Sequence, residues 1–211
     1  MKAQEIIDNF REFLTDMRSP LSSRTDTHLM FILDEARAMI VGRQVGNRGS
    51  IQAMTQTLDL SPTVSSASEM GQIGSSSVIK VTVPTPVAVR EFDGITMVSS
   101  ADLKEVYTKV SLAGLQSSLY RKYTGGTQKY TRINNDLFII NSKRGISSKI
   151  QVTGVFDEPY KVLELLGKID PFAPYDFEYP LSMKDARSVY EVALTSRAPD
   201  TSKAPDNAQG Q

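Results

Sequence analysis

Tyr130-Thr131-Arg132-Ile133-Asn134-Asn135-Asp136-Leu137-Phe138-Ile139-Ile140-Asn141 decides the fold class. Two runs of β-branched and aromatic side chains, residues 130–133 and 137–141, flank Asn134-Asn135. Asparagine tolerates the left-handed backbone of a tight turn, so the stretch reads as a β-hairpin. The next apolar run, residues 149–155, reads as a further strand. Upstream, Gly125-Gly126 breaks the chain, and residues 101–123, with Leu103, Val106, Val110, Leu115 and Leu119, read as mixed or helical. Residues 94–98 read as a short strand. Residues 78–83 alternate as a strand that Pro84 and Pro86 stop, since proline donates no ladder hydrogen bond. Residues 51–58 are a candidate strand, and the serine-rich run 61–77 between these is expected to be a long arm.

Beyond this β-rich centre the period changes. Ile6, Ile7, Phe10, Phe13, Leu14 and Met17 recur at helical spacing, and Ser19-Pro20 ends the pattern. A second helix is expected after Asp26 as N-cap, through Leu29, Ile32, Leu33, Ala36 and Ile40, fading at Gly42 and Gly46. Met30 and Phe31 make its first turns apolar nearly all round, which predicts burial on more than one side. The two helices should form an antiparallel hairpin. Pro159 should open a short helix closed by Gly167, and residues 182–196 a last helix with Val189, Val192 and Ala193 on one face. The expected architecture is α+β: a helical hairpin (1–48), a β-rich central region (49–158), C-terminal helices (159–197) and a disordered polar tail (198–211), which lacks the apolar content to fold.

The 211 residues suffice for one domain with appendages. There are no cysteines, which removes disulfides, zinc–thiolate sites and thiol nucleophiles. Residues 1–10 show no signal-peptide core and no run is long enough to span a bilayer, so a soluble protein made in a cytoplasm is expected. Lysine plus arginine equal aspartate plus glutamate at 24 each. The balance hides a basic block: residues 117–150 hold seven basic side chains against Asp136 alone, and residues 151–200 hold five basic and nine acidic. Such opposed blocks suit pairing within a fold or head-to-tail between copies.

Candidate catalytic chemistry is thin. His28 is the single histidine and sits in the first turn of an apolar helix. Ser77-Val78-Ile79-Lys80 matches a serine acyl-enzyme spacing that needs a helix, whereas this run reads as a strand, which turns positions i and i+3 to opposite faces. Asp176 and Glu178 would share a face if extended, but no further ligands stand at a metal-binding spacing. Gly42, Gly46 and Gly49 follow a helix rather than a strand and match no phosphate loop. Tyr120, Tyr123 and Tyr130 interleave with Arg121, Lys122, Lys129 and Arg132, a pattern that binds single-stranded nucleic acid or simply solvates a sheet. No catalytic, cofactor or metal residue is assigned. Lys143 and Arg144 join Arg121, Lys122, Lys129 and Arg132 as candidate contacts to DNA or to another subunit.

Three segments, residues 135–141, 154–159 (Gly-Val-Phe-Asp-Glu-Pro) and 176–181 (Asp-Phe-Glu-Tyr-Pro-Leu), together with Asp34-Glu35-Ala36-Arg37, carry a resemblance. In order and spacing, the chain resembles the neck-ring or head-to-tail connector proteins of short-tailed, crAss-like bacteriophages. The resemblance implies a structural virion protein without catalytic residues. It implies a ring of twelve copies below the portal, contacts to adjacent tail or ring proteins, and passage of genome DNA through the lumen. It places the protein at the neck of the virion after assembly in the host cytoplasm. The resemblance does not extend to the serine-rich arm or the polar tail. The competing expectation is a nucleic-acid-binding accessory protein acting through residues 117–150.

Overall fold

The computed structural model describes residues 1–46, 51–64, 78–88, 92–118, 128–140, 149–170 and 172–197. They form an α+β fold in which a helical layer packs beside a β-sandwich.

Helix α1 (Ala3–Asp16) buries Ala3, Ile6, Ile7, Phe10 and Leu14 on one stripe. Its first amide groups, which a helix leaves without internal acceptors, donate outside it: Ala3 N–H to Phe177 O (2.8 Å) and Gln4 N–H to Tyr175 O (3.1 Å). At its end Arg18 turns left-handed, with φ 53°, ahead of Pro20. Helix α2 (Asp26–Gly46) runs on through Gly42. Asp26 is not the N-cap expected: it is the first residue of α2, Leu29 N–H donates to Thr25 O ahead of it, and its carboxylate pairs instead with Arg11 of α1, joining the two helices. Met30 is buried, but Phe31 is 59% exposed, so the apolar start of α2 is not enclosed all round. The far end of the chain completes this layer. Helix α5 (Met183–Arg197) packs along α2, and Tyr190 stacks on Phe10 with ring centres 5.2 Å apart. Residues from both ends of the chain therefore share one core.

The sandwich has a three-stranded and a five-stranded sheet. Strands β1 (Gln56–Leu60), β4 (Ile95–Ser100) and β8 (Ile150–Gly154) form the first, with β8 central and both pairings antiparallel. Strands β2 (Thr63–Val64), β3 (Val78–Thr82), β5 (Thr108–Lys109), β6 (Lys129–Ile133) and β7 (Asp136–Ile140) form the second, ordered β2-β3-β7-β6-β5. The expected hairpin is β6–β7, and Asn134 takes the left-handed turn with φ 55°. Alternation sorts the side chains. Ile79, Val81, Tyr130, Leu137 and Ile139 face Leu58, Val98, Ile150 and Val152 between the sheets. Val78 and Phe138 face the other way, under Leu115 of α3 (Leu112–Ser118). Helix α4 (Pro159–Leu165) adds Val162 to the intersheet core, and Gly167 closes it with φ 63°.

The serine-rich run departs from expectation at its start: Thr63–Val64 pairs with Lys80 and Ile79, so the chain changes sheets across Ser61-Pro62. Residues 65–77 lie outside the described residues, as does the polar tail, 198–211. The candidate strand at 51–58 begins later than read, because residues 52–54 form a 3-10 turn. At Gly154 three backbone segments converge. A Cβ there would stand 2.5 Å from Gly94 O, while Val155 N–H donates to that same oxygen at 2.7 Å.

Candidate functional site

The most unusual chemistry lies where the helical layer meets the sandwich. Arg37 occupies the apolar stripe of α2, four residues after Leu33 and four before Val41, and its side chain is fully buried. Its guanidinium reaches across the junction, donating to Phe156 O after β8 and to Met54 O (3.4 Å) before β1. Nε has no hydrogen-bond partner, so the cation is incompletely satisfied. The Tyr179 ring lies 5.7 Å from it, a cation–π contact. The Tyr179 hydroxyl donates to Asp34 Oδ1 at 2.6 Å, one turn before Arg37 on the same helix.

Protonation follows from this enclosure. Burial pushes Asp34 up to about 6, against the Tyr179 hydrogen bond and the nearby Arg37, with Glu158 and Asp157 adding repulsion. Burial also raises Asp157, which Arg37 partly offsets. Tyr179 is fully enclosed and its hydroxyl is held well above the usual range by burial and by Asp34. Together Asp34, Arg37 and Tyr179 tie three distant parts of the chain into one joint. The cluster offers no free nucleophile, and its one cation is fixed on backbone carbonyls.

Three of the segments that carry the family resemblance, 34–37, 154–159 and 176–181, meet at this joint. Of the fourth, Asn135 lies in the β6–β7 turn and residues 136–140 form β7; Asn135 Nδ2 donates to Thr85 Oγ1 (3.1 Å), and Asp157 N–H donates to Thr85 O (2.9 Å).

Of the basic candidates, Arg121, Lys122, Lys143 and Arg144 lie outside the described residues, as do Tyr120 and Tyr123. Lys129 and Arg132 both stand on β6, three apart and hence on opposite faces of the sheet. Arg132 Nη1 donates to Asp93 O at 2.6 Å, and Asp93 in turn pairs with Lys109 of β5 at 2.5 Å, so Arg132 pins the turn before β4 to the second sheet. Tyr130 lies in the intersheet core, where burial pushes its hydroxyl up to about 12. It cannot stack on a base.

The acidic stretch pairs locally. Glu158 binds Lys161 (2.7 Å), Glu191 binds Arg187 (3.2 Å), and Asp176 binds Lys2. Asp176 and Glu178 thus flank a clasp between the chain start and the segment before α5, where Lys2 and Glu178 also form a β-bridge. His28 is exposed. Lys80 of the Ser-x-x-Lys match lies on β3 and binds Asp136 at 3.1 Å. Among the described residues no group of three or more histidine, aspartate or glutamate side chains is placed to hold a metal ion. No helix among them is long and apolar enough to cross a membrane.

Sequence reading missed Arg37 and Tyr179 as structural centres. The signal was present: an arginine at a position where the apolar spacing of α2 calls for leucine must find buried acceptors. No protein-family model matches the chain, and no curated protein matches it.

Proposed function

We propose that this chain is a structural, non-catalytic subunit that assembles with copies of itself into a ring. Its place would be the head-to-tail neck of a tailed bacteriophage, bound to the portal and continuing the DNA conduit into the tail. The observation that carries this reading is how the surface and the interior divide their chemistry. Asp34, Arg37 and Tyr179 are engaged inside, fixing the helical layer to the sandwich. Large apolar side chains meanwhile face solvent: Phe172 is 96% exposed, Met183 75%, Val106 61% and Leu103 56%. An all but uncovered phenylalanine is surface that another protein chain can bury. A subunit with apolar projections suits repeated heterologous contacts, which form a ring when the rotation between copies closes.

On this reading Arg121, Lys122, Lys129, Lys143 and Arg144 face the acidic 151–200 stretch of the next copy, or the lumen. The nucleic-acid reading retains these cations but loses Tyr130 to the core and has Arg132 committed to Asp93. Light scattering and negative-stain images of the purified chain, alone and with its portal, test the proposal. Ring-shaped particles are expected. A monomer under both conditions refutes assembly, and salt-dependent binding of single-stranded DNA by that monomer would favour the rival.

A further inference from the structure

The buried apolar residues fall into separate cores, one within the helical layer and one between the two sheets. After β8 the chain crosses the boundary: Val155 packs into the helical core, and Phe156, the next residue, into the intersheet core. Val87 enters the helical core beside it, its amide donating to Val155 O at 2.9 Å. The charged and titratable groups that face Asp34 at this boundary divide by side. Arg37 and Tyr179, which favour its ionised form, belong to the helical layer: Arg37 lies on α2, and Tyr179 N–H donates to Met1 O at 2.9 Å, just ahead of α1. Asp157 and Glu158, which disfavour it, belong to the sandwich: Asp157 N–H donates to Thr85 O at 2.9 Å, and Glu158 is the N-cap of α4, whose Val162 lies in the intersheet core. A carboxylate with its partners on its own side and its repellers on the other gains as an ion when the sides part.

We infer that this boundary is a proton-controlled latch: with Asp34 protonated the helical layer stays closed on the sandwich, and with Asp34 ionised the two part and water reaches Val155. Arg37 resists the opening, because its bonds to Phe156 O and Met54 O cross the boundary. Against the ion itself, burial and the two facing carboxylates outweigh Arg37 and Tyr179, so the closed form holds the Asp34 carboxyl at about 6 instead of 3.8. In the open form the carboxyl meets water and returns toward its ordinary value. Closure is therefore favoured most below that ordinary value, and the advantage is lost as pH rises through the closed-form value. Because each layer keeps its own core, the chain opens at the boundary before it unfolds. The latch is a property of the single chain and holds whether or not copies assemble into a ring.

Because the chain has no cysteine, one introduced thiol reports on one place. Val155→Cys puts a thiol at the boundary, and Val152→Cys puts one between the sheets as the control. Each full-length variant is labelled with a pyridyl disulfide from pH 4 to 7.5, with and without Asp34→Asn. A shift of about two units sets a ceiling of about a hundredfold on the opening equilibrium, and the partial exposure of Asp34 lowers the expected effect to about tenfold. The Val155→Cys thiol should therefore react equally fast in both backgrounds near pH 4, and about ten times faster beside the native Asp34 at pH 7.5. Low urea should leave that rate unchanged, whereas the Val152→Cys thiol should react far more slowly and in step with global unfolding. Val87→Cys, in the same core, gives a second readout where Val155→Cys does not fold. Equal rates in both backgrounds at every pH overturn the inference, because Asp34 then does not control the boundary. A boundary thiol no faster than that of Val152→Cys, or one whose rate follows urea, shows that the layers part only by global unfolding, and overturns it as well.

Discussion

Asp34→Asn puts two opposing effects of the buried joint in direct competition. Asp34 is half-buried, accepts the Tyr179 hydroxyl, and has its carboxyl raised from 3.8 to about 6 chiefly by burial. A carboxyl raised on folding binds its proton more tightly in the native state. Its contribution is therefore fully present below the unfolded value near pH 4 and is lost as pH rises through the folded value near 6. A shift of about two units corresponds to roughly 3 kcal/mol, and the remaining solvent contact of Asp34 lowers this to about 2–3 kcal/mol. Asparagine mimics the protonated acid. The variant should therefore match the parent near pH 4 and exceed its stability by about 2–3 kcal/mol at pH 7.5. Asp157, also raised, repels Asp34, so its relief in the variant adds to the gain at neutral pH in the same direction. Urea denaturation of both proteins at half-unit steps from pH 4 to 7.5 supplies the curve. The rival outcome is loss of about 3–5 kcal/mol at neutral pH, as when a buried ion pair is broken. That result, or a difference that does not change with pH, would show that Asp34 serves mainly as counter-ion to Arg37 and that the desolvation argument is wrong.

Removing the cation itself should act oppositely. Arg37→Ala leaves the Phe156 and Met54 carbonyls without their donor and opens a void at the joint, with an expected loss of about 3–5 kcal/mol by urea denaturation at pH 7.5. Gly154→Ala places a methyl 2.5 Å from Gly94 O, a rigid backbone atom, so a loss of at least about 1–3 kcal/mol is expected, seen as a lower melting temperature. Joint charge reversal at Arg121, Lys122 and Arg144 should impair ring formation, with reversal at Glu164 or Glu178 restoring it. Intact rings with altered DNA ejection would instead put the block on the lumen.

The elements were legible in the sequence wherever local chemistry alone sets them. Asn134-Asn135 allows a left-handed residue between two β-branched runs, so the β6–β7 hairpin could be read directly. Pro159 and Gly167 bracket α4, and the spacing of Ile6, Ile7, Phe10 and Leu14 gives α1 its buried stripe. What could not be read is which elements meet. Gln56 pairs with Gly154 and Thr63 with Lys80, and the decision to change sheets lies in Ser61-Pro62, which looks like any other turn. Helix α5 shares its core with α1 because Tyr190 finds Phe10, and no local pattern encodes a partner almost a whole chain away.

The candidate site shows the same division at the scale of single residues. Charge counting treats Arg37 as one of 24 basic residues and Asp34 as one of 24 acidic ones, yet these two differ in kind from the solvated pairs such as Arg187–Glu191. Exposed pairs of that sort contribute about 0–1 kcal/mol, whereas a buried cation is tolerated only with acceptors fixed in advance. For Arg37 those acceptors are main-chain carbonyls just beyond one end of the β1–β8 pairing, where Gln56 meets Gly154, and that pairing brings them together. The joint therefore depends on the β1–β8 pairing, and the helical layer is oriented by a contact whose acceptors that pairing supplies. Block charge along the sequence says nothing about this. It is also why Arg132, counted among the DNA-facing or neighbour-facing cations, can turn inward to Asp93 while Lys129, three residues away on the same strand, stays on the opposite face.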